Sequence, residues 1–206
     1  MAQIKNIVFD LGGVIITLDK EEPIHRLAAI GVKNPQGLLD PYEQRGIFQD
    51  LETGRIDAEA FRLRLGELAG RELTAEECAW VWLGFVVEVP RYKLDYILSL
   101  RERHKVYLLS NTNPFIMDWA RTPRFSEAGR PLDDYFDKLY LSYQIGITKP
   151  DPRIFRHMMD DAPLLPGETL FVDDGQRNID CARSLGFHTY LPGNGEDWRE
   201  RLAVER

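Results

Sequence analysis

Apolar and polar positions follow two different rhythms along this chain. Ile4 to Phe9 is a short β-rich run that ends at Asp10, and Gly12-Gly13 then interrupts it. That pattern predicts a strand whose carboxyl end delivers a carboxylate. From about Asp19 to Val89 helical spacing takes over. Asp19 is placed to cap a helix ending near Gly31, and Asp57 to cap another whose Phe61, Leu65 and Leu68 recur on one face before Gly70. Thr74 and Glu77 have the capping-box spacing, in which hydroxyl and carboxylate satisfy each other's exposed backbone donors, ahead of Trp80, Trp82 and Phe85. After Pro90 the rhythm changes again. Tyr92 to His104 reads as a helix and Lys105 to Leu109 as a buried strand. Further strands are predicted at Lys138–Leu141, Thr169–Val172 and His188–Leu191, with helices around Pro152–Asp161 and Arg177–Leu185. Strands alternating with helices predict an α/β fold: a doubly wound, Rossmann-like parallel sheet with helices on both faces. The expected division is a core of residues 1–16 and 90–206, with a helical bundle, 17–89, inserted between its two parts.

Composition narrows the function classes. The chain has 206 residues, 44% hydrophobic and 29% charged, which is ordinary globular usage and not that of a disordered chain. Lys and Arg number 26 against 33 Asp and Glu, a net charge of −7, which argues against broad nucleic-acid binding by phosphate neutralisation. The longest strongly apolar stretch, Ala79 to Val87, is far shorter than the ~20 residues of a membrane span. No secretory pattern opens the chain, so a cytoplasmic protein, monomer or homodimer, is expected. Cys78 and Cys181 are too isolated to suggest a disulfide framework or a zinc site.

In open α/β sheets ligands collect at the carboxyl ends of the strands. Those ends carry Asp10-Leu-Gly-Gly-Val14, Ser110-Asn-Thr-Asn113, Thr148-Lys-Pro-Asp151 and Asp173-Asp-Gly175. Singly, each has a local explanation: a turn aspartate, a helix cap, a solvated lysine, an Asp-Gly turn. Together they place carboxylates, a hydroxyl, an amide and a lysine at one sheet edge. This combination suits a phosphorylated small metabolite and Mg²⁺, a hard cation that takes carboxylate, water and phosphate oxygens. Asp10, Asp173 and Asp174 would supply the carboxylates, and Lys149 would balance charge and contact phosphate. Ser110 and the backbone N–H groups of Leu11, Gly12 and Asn111 would donate to phosphate oxygens.

The ordered series Phe-Asp10-Leu-Gly-Gly-Val, Leu-Leu-Ser110-Asn-Thr-Asn, Ile-Thr-Lys149-Pro-Asp-Pro and Phe-Val-Asp173-Asp174-Gly resembles the four motifs of the haloacid dehalogenase (HAD) superfamily. The inserted helices resemble the small helical cap of its first cap class. The resemblance implies that Asp10 is a nucleophile forming an aspartyl-phosphate and that Ser110 and Lys149 hold the phosphoryl group. It also implies that Asp10, Asp173, Asp174 and the Gly12 carbonyl hold Mg²⁺. Superfamily phosphatases mostly carry a second Asp two positions after the nucleophile, which protonates the leaving group; here that position is Gly12. An easy leaving group is therefore expected, and the chain looks most like small bacterial phosphatases acting on α-glucose 1-phosphate. Two alternatives stay open: a metal-independent 2-haloacid dehalogenase, for which the Asp173-Asp174 doublet is superfluous, and a non-catalytic phosphate-binding protein.

Substrate choice is expected in the insertion. Tyr42, Glu43, Arg45, Phe48, Trp80 and Trp82 are candidates near the mouth of the site, the aromatic ones being equally suited to the core. Asn178 is a candidate support for the acidic doublet, and Asp151 either orients Lys149 or starts a helix. His25, His104, His157 and His188 fall at no strand end, so no catalytic histidine is expected.

Overall fold

The computed structural model describes residues 3–39 and 46–203. In chain order its first half contains β1 (Asn6–Phe9), β2 (Thr17–Leu18), α1 (Glu22–Ala29), α2 (Gly46–Glu52), α3 (Ala58–Ala69), α4 (Ala75–Leu83) and β3 (Val86–Glu88). The second half contains α5 (Arg91–Leu100), β4 (Lys105–Ser110), α6 (Pro114–Ala120), β5 (Lys138–Leu141), α7 (Ser142–Ile145), α8 (Pro152–Asp161), β6 (Thr169–Val172), α9 (Gln176–Ser184), β7 (His188–Tyr190) and α10 (Arg199–Ala203).

Five strands form a parallel sheet in the order β5-β4-β1-β6-β7. The chain builds outward from β1 to β5 and then returns to add β6 and β7 on the other side. The winding therefore reverses between β1 and β6, the crevice where such sheets bind ligands. Strand residues alternate between two cores. Ile7, Phe9, Val106, Leu108, Leu170 and Val172 face a cluster with Leu94, Ile97, Phe115 and Met117 of α5 and α6. Val8, Tyr107, Leu109 and Phe171 face Ile154, Phe155 and Met158 of α8 and Ile179 of α9. A period of two on strands buried on both faces is what the sequence pattern predicts.

The helices α1 to α4 lie between β2 and β3, which pair antiparallel and bring the two ends of the insertion together. This short ribbon was not predicted; strands of two and three residues carry no readable period. Two of the three predicted caps are present: Asp57 accepts from Ala60 N–H at 2.8 Å, and Thr74 and Glu77 make the reciprocal capping box. At α1 the N-cap position falls on Glu21, without a side-chain cap, and Asp19 accepts instead from the N–H groups of Glu21 and Glu22 in the turn that leads into the helix. The insertion is continuous with the core of the sheet. Phe61 packs on Phe48 and Trp82 at centroid distances of 5.1 and 6.0 Å, and on Phe115 of α6 at 5.6 Å.

The loop after β1 is held from below. Trp198, fully buried, donates its indole N–H to the Val14 carbonyl at 2.9 Å and lies 5.0 Å from the Phe9 ring. Lys93, also fully buried, donates to the same carbonyl at 2.7 Å. Asn194 clamps Leu18 through both backbone groups at 2.9 Å. No helix among the described residues is long and apolar enough to cross a membrane.

Candidate active site

β1, β4 and β6 run parallel in matched register, with Phe9 beside Leu108 and Val172. β1 and β6 end level, at Phe9 and Val172, and β4 runs on to Ser110. Asp10, Ser110 and Asp173 converge there, whereas Lys149, expected just after a strand, comes from the loop between α7 and α8, because the short helix α7 follows β5. Lys149 is the electrostatic centre: its side chain is 1% exposed, and its ammonium donates to Asp173 Oδ2 at 2.6 Å and to Asp10 Oδ1 at 2.9 Å. Burial works against the Lys149 cation, but Asp10 and Asp173 outweigh it and raise its pKa.

Each group has its own support. Asp10 Oδ1 also accepts from Leu11 N–H at 2.7 Å. Asp173 Oδ1 accepts from Gly175 N–H at 2.8 Å and from the Asn178 amide at 2.9 Å, so Asn178 braces the acidic doublet. The Asn111 side chain grips the backbone of Lys149 in both directions, at 2.8 and 2.9 Å. Asp151 is a local group: it caps α8, accepts from Arg153 N–H and pairs with the Arg153 guanidinium. Gly13 has φ +73°, and any Cβ there would overlap the Asp174 carboxylate, so only glycine lets Asp174 come this close to the loop.

Asp10, Asp173 and Asp174 each offer an oxygen within 4.8 Å of the others. Three carboxylates and one buried lysine leave an excess of negative charge. Burial pushes the Asp10 carboxyl up to about 7, with Lys149 opposing and Asp173 and Asp174 adding repulsion. Asp174 is also raised, by burial and then by Asp173. An all-oxygen donor set with uncompensated charge fits Mg²⁺, which neutralises it and leaves positions for water and phosphate.

A cavity of about 730 Å³ opens above these groups. Asp10, Leu11, Gly12, Ser110, Asn111 and Lys149 line its floor, together with Asp174, whereas Asp173 is fully buried beneath. The insertion also contributes to the lining, with Gln49, Glu52 and Trp82 among its residues. Phe48 is fully buried among Phe61 and Trp82, and Trp80 lies on the surface under Arg26 at 4.9 Å; neither lines the cavity. Tyr42, Glu43 and Arg45 lie outside the described residues. No histidine is among the described residues lining the cavity.

Glu52 was missed by sequence reasoning. Burial pushes its carboxyl up to about 8, with Asp10 adding to the shift and Lys149 opposing it. One signal was available. Glu52 is the last residue of α2, where a carboxylate opposes the helix dipole, and an acidic residue at that position invites a functional explanation. Trp82 was named, but its distinguishing feature is visible only in three dimensions: its indole N–H is buried without a hydrogen-bond partner among the described residues.

Comparison with known proteins agrees with this geometry. Residues 4–186 match the family model of haloacid dehalogenase-like hydrolases. A D-ribitol-5-phosphate phosphatase of Bacteroides thetaiotaomicron is 56% identical over 201 residues, 98% of each chain. A solved HAD-like family hydrolase from Porphyromonas gingivalis superposes with a TM-score of 0.95 at 49% identity, covering 98% of both chains. An HAD family enzyme of Bacteroides thetaiotaomicron, solved in complex with magnesium and inorganic phosphate, gives 0.88 at 40% identity over 96% of this chain and 98% of that one. A parallel sheet that gathers Asp10, Ser110, Lys149 and the Asp173-Asp174 doublet at one edge, matched over this length, makes the chain a member of the haloacid dehalogenase-like hydrolase family.

Proposed function

We propose that this hydrolase is a Mg²⁺-dependent phosphatase of a small polyol phosphate, working through an aspartyl-phosphate on Asp10. The observation that carries the reading is the pairing of buried Lys149 with Asp10 and Asp173 beside a third carboxylate, Asp174. Such a site is too negative to take a phosphate dianion until a divalent cation joins it. A metal-independent dehalogenase has no use for the excess carboxylates.

In this reading Asp10, Asp173, Asp174 and the Gly12 carbonyl hold Mg²⁺, which when bound supplies positive charge against the phosphoryl oxygens. Lys149, Ser110 and the N–H groups of Leu11, Gly12 and Asn111 orient the phosphoryl group. An Asp10 carboxylate oxygen forms a bond to phosphorus while the bond to the leaving oxygen breaks, and water then cleaves the acyl phosphate to release inorganic phosphate. Residues 17–89 act as a cap over the core formed by 1–16 and 90–206, with Gln49, Glu52 and Trp82 facing the leaving group.

Two substrate classes are separable. Similarity to a D-ribitol-5-phosphate phosphatase supports a sugar alcohol phosphorylated on a primary hydroxyl. Gly12 supports a sugar 1-phosphate, whose hemiacetal oxygen leaves without strong acid help. Phosphate release from ribitol 5-phosphate, glucose 1-phosphate and glucose 6-phosphate, with Mg²⁺ and with EDTA, decides between them. We expect ribitol 5-phosphate to be preferred, release to require Mg²⁺, and Asp10→Asn to lower it by at least ~10³-fold, as loss of a covalent nucleophile does. Release by Asp10→Asn at an undiminished rate would sink the mechanism.

A further inference from the structure

We infer that Glu52, from the inserted helices, is the catalytic residue that protonates the leaving oxygen, the task for which Gly12 has no side chain. The inference rests on the phosphatase reading above and adds to it a proton donor that the insertion brings into the same cavity.

Expulsion of a primary alkoxide without a proton is slow, and a positioned acid is typically worth ~10²–10⁴-fold. The group must reach the side of the phosphoryl centre facing away from Asp10, where the leaving oxygen lies in an in-line displacement. The described residues that line the cavity hold three carboxyl groups: Asp10, Asp174 and Glu52. Asp10 and Asp174 belong to the cation-binding set at the sheet edge. Lys20, Lys149 and Arg177 are the lining cations, and no histidine is among the described lining residues, which leaves Glu52.

Its position is fixed although it comes from the insertion. The Glu52 carbonyl accepts from Ser142 Oγ of α7 at 2.7 Å, and the same hydroxyl accepts from Thr112 N–H, in the loop after β4, at 3.0 Å. Two residues on, Gly54 lies against the Tyr143 carbonyl so closely that a Cβ would overlap it. Thr53 is buried and donates its hydroxyl to the Gln49 carbonyl at 2.8 Å. The end of α2 is thus fastened to the core beside the loop that leaves β4, so the backbone that carries Glu52 is held against the site.

One further feature agrees. With its pKa pushed up to about 8, Glu52 is largely protonated at neutral pH, the state an acid needs before the first step. The proposed step balances. Asp10 donates an electron pair to phosphorus, the P–O bond breaks with its pair going to the leaving oxygen, and that oxygen takes the Glu52 proton. The products are the free alcohol, the Asp10 acyl phosphate and the Glu52 carboxylate.

The test compares kcat/KM, which reports this first chemical step, for ribitol 5-phosphate and p-nitrophenyl phosphate in the full chain with Mg²⁺. The p-nitrophenolate ion leaves without a proton. Glu52→Gln should lower kcat/KM for ribitol 5-phosphate by ~10²–10⁴-fold and for p-nitrophenyl phosphate by much less, under ~10-fold. The second value also reports that the variant is folded. Equal losses on both substrates, or no loss on ribitol 5-phosphate, would overturn the assignment. So would a wild type that hydrolyses p-nitrophenyl phosphate and no alkyl phosphate, since it would then lack a leaving-group acid. Failure of the wild type on every phosphate ester would instead count against the phosphatase reading itself.

Discussion

Gly12 and Glu52 are linked by a substitution that tests both. Gly12 does not require a left-handed backbone, and the atoms nearest a Cβ built there all belong to the Leu18 side chain, with Cδ1 at 3.0 Å. Leu18 is half-buried at the cavity edge, and its side chain can rotate by the few tenths of an ångström needed. An aspartate at position 12 is therefore sterically tolerable, and its carboxyl would sit beside Asp10 on the cavity floor. Gly12→Asp introduced into the Glu52→Gln variant should recover at least ~10-fold of the lost kcat/KM for ribitol 5-phosphate, because general acid help is restored from a second direction. Steady-state kinetics on Glu52→Gln and on the double variant checks this. A double variant no faster than Glu52→Gln would show that the two positions do not serve one function.

At the level of elements, catalysis depends on α2 and α7 remaining together. Gly54, at φ +65°, makes the close approach to Tyr143 possible. Gly129 offers a control, with φ +70° and nothing within 4 Å of a built Cβ. Gly129→Ala should cost only the left-handed conformational penalty, ~1–2 kcal/mol. Gly54→Ala should cost at least ~1 kcal/mol more because a backbone carbonyl is displaced, and it should lower ribitol 5-phosphate turnover as Glu52 moves with the end of α2. Urea midpoints for the two variants measure the difference, and equal midpoints would remove the packing argument. The same elements show what was legible in the sequence. Asp10, Ser110 and Asp173 could be found because strand periodicity marks where strands end, and parallel strands in register bring those ends together. Lys149 was legible only from its motif, since it lies between α7 and α8 and not at the end of β5. The capping box at Thr74 and Glu77 was legible for a similar reason, since its chemistry lies within four consecutive residues. Glu52 was not, because what makes it distinctive is a long-range contact: Ser142 lies 90 positions away and meets it only through the packing of the insertion on the core. The unpaired indole of Trp82 and the ribbon of β2 with β3 escaped on the same grounds.

For the molecule as a whole, the buried carboxyl groups set how stability responds to pH and to metal. Asp10 is pushed from 3.8 up to about 7 and Glu52 from 4.5 up to about 8, both by burial first. Between those limits the folded chain binds more protons at these sites than the unfolded chain does. Their contribution to stability is therefore fully present below the unfolded values and is lost as pH rises through about 7 to 8. Surface carboxylates act in the opposite sense: Asp161, lowered by Lys138 and Tyr140, and Asp151, lowered by Arg153, stabilise above their unfolded values and lose this in acid. The metal-free protein should thus be most stable at mildly acid pH and weaken as pH rises through neutrality. Mg²⁺ takes the ionised carboxylates, so protons compete with it, and its stabilisation should grow over the interval in which the metal-free protein weakens. At a concentration a hundred times its dissociation constant, that stabilisation is ~2.7 kcal/mol. Urea unfolding from about pH 5 to about pH 9, in EDTA and in Mg²⁺, should give two curves that nearly coincide in acid and separate above neutrality. A metal-free curve that rises across neutrality, or a constant separation between the two, would mean that the carboxylates around Lys149 are not the groups that Mg²⁺ relieves.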